Sequence, residues 1–148
     1  MITAADIEAY LHGHIPLSRQ MAVRVASLDG AGVRLAAPLA PNINHRGTVF
    51  GGSASALAML AGWALAYARI APLPWATRLV IRRSEMDFDL PIDGDFEAWS
   101  PAPDAEAWVP FDEGLAARGK GRIDLDVALQ REGQAVASFR GRYVALRG

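Results

Sequence analysis

Residues 47–68 read GTVFGGSASALAMLAGWALAYA, 22 consecutive positions without a charged side chain, closed off by Arg46 and Arg69. A bilayer crossing takes about 20 apolar residues, so length alone would permit one. The content argues otherwise. Thr48, Gly51, Gly52, Ser53 and Ser55 crowd the first half, and alanine rather than Leu, Ile or Val supplies most of the bulk. The stretch reads as a helix buried on every side within a soluble fold. Gly51-Gly52 makes a tight entry turn, Ser53 caps the start, Ala54 to Ile70 contains no proline, and Pro72 and Pro74 stop it. Its alanines let other backbone approach closely, as when a sheet wraps around a helix.

Working outward, the flanks read as strands. On the N-terminal side, Thr3 to Leu11 is a short amphipathic helix with Thr3 as cap and Asp6 three residues on, and Pro16 ends that segment. Met21–Leu28 and Gly32–Ala37 form a hairpin about Asp29-Gly30, and Pro38 and Pro41 open a loop that runs from Asn42 to Gly52. On the C-terminal side come Arg78–Phe88, then Asp95–Ser100. Next is a connection, Pro101–Leu115, in which Pro110 suits the first turn of a short helix. The clearest β pattern is Arg122–Gln130, where Ile123, Leu125, Val127 and Leu129 alternate with polar residues. Glu132-Gly133 turns it into Ala135–Leu146. The order predicts an α+β domain, residues 1–148, with an antiparallel sheet around one long central helix.

Composition narrows the partners. Of 148 residues, 51% are hydrophobic and 21% charged, and 15 Lys+Arg against 16 Asp+Glu leave a net charge of -1. No global basic field draws in nucleic acid or anionic lipid. There is no cysteine, which excludes disulfides and thiolate metal sites, and no His or carboxylate cluster has the spacing of a zinc site. Asp6 and Glu8 stand where a secretory signal would carry positive charge, so the expected location is cytoplasmic and no membrane partner is expected.

The loop before the helix, Asn42–Gly52, reads NINHRGTVFGG. Gly51 and Gly52 free the backbone to approach a ligand, and the next amides sit at a helix N-terminus. That environment favours an oxygen carrying or developing negative charge. It suits a thioester carbonyl, whose tetrahedral intermediate needs oxyanion donors. A glycine entry turn with a capping serine accounts for the same residues without any chemistry.

The block Asn44-His45-Arg46-Gly47-Thr48-Val49-Phe50-Gly51-Gly52, the small-residue helix and the Asp89-Leu90-Pro91…Gly94-Asp95 break together resemble the hotdog-fold acyl-CoA thioesterase superfamily. In that fold an antiparallel sheet wraps a long central helix. The resemblance covers the whole chain and is closest to the YiiD C-terminal type of thioesterase domain. It implies hydrolysis of an acyl-CoA or acyl-carrier-protein thioester, with coenzyme A as part of the substrate and no separate cofactor, in a homodimer or dimer of dimers. By the same resemblance Asn44 orients water or substrate, and Gly51, Gly52 and Ser53 supply the oxyanion-hole amides. Thr48, Phe50, Ser55 and Met59 then line the substrate.

Two positions depart from the related phenylacetyl-CoA-type pattern: Phe50 stands in place of its histidine and Met59 in place of its helix carboxylate. Thioester hydrolysis needs a group that activates water, and the helix offers no Asp, Glu or His before Arg69. His45 and Asp87 are the candidates for that duty, and a meeting of the two would also supply the pair a hydratase needs. Arg82 is a candidate phosphate contact, alongside Arg78 and Arg83, with Arg118, Lys120 and Arg122 raising the same question. A binding or sensing module for acyl-CoA, without turnover, is the alternative reading.

Overall fold

The computed structural model describes all residues from Met1 to Gly148. Helix α1 spans Ala4–His14 and α2 Pro16–Gln20. Strands β1 (Arg24–Asp29) and β2 (Gly32–Ala37) precede the central helix α3 (Gly51–Ile70). Strands β3 (Thr77–Phe88) and β4 (Phe96–Pro101), helix α4 (Ala105–Arg118), and strands β5 (Lys120–Arg131) and β6 (Gln134–Arg147) complete the chain. The six strands form one sheet in the order β1-β2-β4-β5-β6-β3, every neighbouring pair antiparallel. This is the hotdog arrangement, a sheet wrapped around α3.

Burial follows the sequence periodicities. Along β5, Ile123, Leu125, Val127 and Leu129 are buried while Arg122, Asp124 and Asp126 face outward. On α3, Leu57, Ala58, Ala61, Ala64 and Ala66 are buried and join a core with Val33, Leu35, Ala98, Leu125 and Tyr143. Gly62 shows how closely the layers approach: a Cβ there would run into the Tyr143 ring and hydroxyl. The Tyr143 hydroxyl donates to the Met59 carbonyl at 2.7 Å, pinning β6 to the helix. The helix has the length and composition of a membrane span, and half of its residues are buried by the protein's own sheet.

Three local readings change. Helix α3 begins at Gly51, not after Ser53: Phe50 occupies the cap position and no side chain caps the helix. The entry is fixed by backbone, with Val49 N–H donating to Ile92 and Phe50 N–H to Asn42, both at 2.8 Å, so the chain already points along the helix axis two residues earlier. Pro16 opens α2 as its first residue instead of ending the segment, a position where the missing N–H costs nothing. Pro110 lies inside α4, a 14-residue helix, instead of starting a short one. An interior proline costs about 3 kcal/mol. Burying Trp108, Phe111 and Leu115, at roughly 1.5–3 kcal/mol per large apolar side chain, outweighs it. Thr3 and Asp6 form the expected capping box on α1.

Candidate active site

The loop ahead of α3 is organised by one side chain. Asn44 Oδ1 accepts from the N–H groups of Arg46 (2.8 Å) and Thr48 (3.1 Å), and its Nδ2 donates to Thr48 Oγ1 at 2.9 Å and to the Val49 carbonyl at 3.4 Å. Asn44 N–H closes the loop on the Thr48 carbonyl at 2.8 Å. Gly47 takes the turn with φ +79°, a conformation glycine reaches without steric cost. Asparagine suits the hub because its short amide both donates to and accepts from the local chain.

This loop delivers Gly51, Gly52 and Ser53 to the start of α3 with their N–H groups unpartnered. The first bond of the helix is Ala54 N–H to the Phe50 carbonyl at 3.0 Å, and no side chain reaches back to the three preceding donors. Three free amides at the positive end of a 20-residue helix are donors able to receive an oxygen that carries negative charge. Two aromatic rings flank it. The Phe88 ring on β3 lies where a Cβ at Gly51 would just touch it, and the Phe50 ring packs so close to Gly52 that a Cβ there would collide with it. Phe50 and Phe88 are more than half exposed, so both rings present apolar surface at the rim.

A chamber of ≈ 250 Å³ opens alongside α3, one turn further on. Ala56, Met59, Leu60 and Trp63 form its helix wall, α2 and its flanks contribute Ile15, Leu17 and Met21, and Leu79 and Ile81 come from β3. Its polar groups are already spent. Ser18 Oγ donates to the Ile15 carbonyl (2.7 Å), Tyr143 Oη to the Met59 carbonyl, and Trp63 Nε1 to the Leu79 carbonyl (3.2 Å). Burial pushes the Tyr143 hydroxyl pKa well above the usual tyrosine value, so it stays neutral. A lining with no free donor or acceptor favours an apolar occupant over water.

The sequence candidates thus divide. Asn44, Thr48, Phe50, Gly51, Gly52 and Ser53 come together at the helix start, and Met59 lines the chamber. Ser55 is half-buried on the first turns of the helix. His45 is exposed in the loop beside them, and neither a hydrogen bond nor an ion pair joins it to Asp87. Asp87 pairs in register with Ser138, while Phe88, the next residue, is the one whose ring meets Gly51. Successive strand residues point to opposite faces, so within one chain the Asp87 carboxylate faces away from the helix start. Arg82 belongs to a basic cleft with Arg118, Lys120 and Arg122, away from the chamber. No three His, Asp or Glu side chains gather as a metal site would require. Sequence reading missed α2: Leu17 within it and Met21 at its end, four apart after a helix-opening proline, line the chamber.

The chain matches the family described as putative thioesterase (yiiD_Cterm) over residues 4–147. It belongs to that family. Among solved structures it is similar to a protein of unknown function from Chlorobaculum tepidum TLS, at 30% identity and TM-score 0.90, covering 99% of this chain and 98% of the other. It is also similar to a putative thioesterase from Shewanella oneidensis, at 27% identity and TM-score 0.85, covering 97% and 96%. A Pseudomonas aeruginosa protein described as a probable thioesterase aligns at 25% identity and TM-score 0.80, covering 100% and 99%.

Proposed function

We propose that the protein hydrolyses an acyl thioester of coenzyme A or of an acyl carrier protein. The observation that carries this is a juxtaposition: three unpartnered amides at the start of α3 lie one helical turn from a chamber whose polar groups are all satisfied. A fatty or aromatic acyl chain fills the chamber beside Met59 and Trp63. Its thioester carbonyl then reaches the amides of Gly51, Gly52 or Ser53. When water adds to the carbonyl carbon, the oxygen gains the negative charge those amides and the helix dipole stabilise, and collapse expels the thiolate. Asn44 holds the loop that aims the amides. Thr48, Phe50 and Ser55 border the entrance.

The water needs a base. His45 is the group of suitable chemistry in the loop; Asp87 turns away within its own chain, and a carboxylate from across a subunit boundary is the other source in this reading. Strand β3 offers that boundary: it is a 12-residue edge with Val80 and Phe88 49% and 55% exposed. A long uncovered edge is a template for pairing, and two copies joining β3 edges give a homodimer, or a dimer of dimers.

Met59 in place of a helix carboxylate favours a second reading, an acyl-CoA-binding module that senses or carries without turnover. One assay separates the two. Thiol release from a panel of acyl-CoAs, followed with a thiol-reactive dye, is expected to be saturable and to rise with acyl length until the chamber is filled. Tight acyl-CoA binding with no thiol release from pure protein would sink the enzyme reading and leave the binding module.

A further inference from the structure

The chamber beside α3 has a far end, and stacked aromatic rings build it. Its helix wall, Ala56, Met59, Leu60 and Trp63, follows the three- and four-residue spacing of one helix face. Trp63 is the last and largest of these, on the side away from the free amides. Its Nε1 donates to the Leu79 carbonyl at 3.2 Å. Behind it the Tyr67 ring, one turn further along α3, stacks at 4.8 Å between centroids. Tyr10 of α1 stacks on Trp63 at 5.6 Å and on Tyr67 at 4.8 Å. His14 extends the pile on Tyr10 at 4.0 Å, with Nδ1 in hydrogen-bond reach of the Tyr10 carbonyl at 3.0 Å. Neither tyrosine lines the chamber, so both stand beyond the indole.

A wall braced in this way does not yield easily. Turning the indole aside would break its hydrogen bond, leave the N–H unpartnered against an apolar lining, and unstack the rings behind it. The opposite end of the same wall is small, because Ala56 stands there. Gly52 and Trp63 are eleven residues apart on α3, about 16 Å along the axis at the rise of a helix. Helical side chains lean back toward the N-terminus, so the indole shortens the free run to roughly 10–15 Å.

We infer that Trp63 sets acyl length: the chamber takes a medium-chain acyl group, octanoyl to dodecanoyl, and stops a longer one. The acyl identity of the occupant rests on the thioesterase reading; the stop is a property of the chamber. An extended tail of that class spans the run from the amides to the indole. A palmitoyl tail exceeds both that length and the ≈ 250 Å³ available. Each methylene that enters leaves water, and the first to meet Trp63 has to stay outside or displace a stacked ring.

The probes are S-alkyl thioethers of coenzyme A, which cannot be hydrolysed as thioesters, titrated calorimetrically into the full-length protein below their micellar concentrations. From butyl to decyl the affinity should climb, by up to roughly fourfold per buried methylene. Hexadecyl should bind roughly tenfold more weakly than decyl, because a close-packed wall resists overfilling. Trp63→Leu, which keeps an apolar wall but removes the ring, should strengthen hexadecyl binding by roughly tenfold and change octyl binding little. Ala56→Leu fills the chamber ahead of the stop and should weaken decyl binding by roughly tenfold, moving the best length to a shorter chain. Ala56 lies outside the aromatic stack, so this second variant decides the matter if Trp63→Leu melts too early to titrate. Equal binding of decyl and hexadecyl by the unaltered protein, or a length limit that stays put in the folded variants, overturns the inference. A limit that moves as expected, with no thiol release from any acyl-CoA, takes down the thioesterase reading alone. Thiol release as fast from palmitoyl-CoA as from decanoyl-CoA keeps that reading and overturns the stop at Trp63.

Discussion

Asn44 is a small side chain with four hydrogen bonds to its own loop, and its substitution tests whether loop geometry and chemistry are linked. In Asn44→Ala each lost bond removes about 0.5–1.5 kcal/mol net, partly recovered by water, and the amides of Gly51 to Ser53 lose their aim. We expect kcat/KM for thiol release to fall by more than tenfold, with a small drop in Tm. Asn44→Asp, which keeps the acceptor Oδ1 but loses both amide donors, should fall between. A rate unchanged in the alanine variant would refute the assignment. The asparagine and the glycine pair were legible in the sequence because their chemistry is local: an Asx hub and a flexible entry need no distant partner. The direction of Asp87 was not legible. Whether a strand residue faces a site or its back depends on which neighbour, here Phe88, packs against the helix.

Helix α3 and its fit to β6 carry the next prediction. Alanine is favoured over glycine in a helix by roughly 1 kcal/mol, so propensity alone says that Gly62→Ala stabilises. The Tyr143 ring occupies the space a Cβ needs, and overpacking a close-packed core costs typically 1–3 kcal/mol. The clash should win: Gly62→Ala is expected to lower stability to urea unfolding, and Gly62→Ala with Tyr143→Phe to recover only part of the loss, because the phenyl ring remains. Equal or greater stability of the single variant would show that the helix can shift away from the sheet. At this scale the sequence indicated which segments pair, since alternation and 3.6-residue periodicity are properties of contiguous residues. It misjudged α4, where Pro110 argues against a long helix and only the burial of Trp108, Phe111 and Leu115 argues for one. It also stopped short of α2, a five-residue helix that opens at Pro16 and packs against α1.

For the molecule as a whole, the exposed edge of β3 makes a definite demand. Sedimentation equilibrium at micromolar concentration is expected to report twice the chain mass of 15.8 kDa, or four times that mass if dimers pair further. Val80→Lys, which places a charge on that exposed edge strand, should shift the distribution toward monomer. A monomer for the unaltered protein at all concentrations would mean that each site is complete within one chain.

The uncharged run from Gly47 to Ala68, taken alone, determined that this chain builds around one buried, closely approached helix with an open glycine entry, because residue size and backbone freedom act at each position independently. Tertiary structure decided where that helix begins, since backbone bonds from Val49 and Phe50 to distant carbonyls set it two residues before the serine that looked like its cap. It also decided that the apolar wall beside the helix is a chamber and that four scattered cations share one cleft. Those are properties of surfaces meeting in space, and no spacing along the chain encodes them.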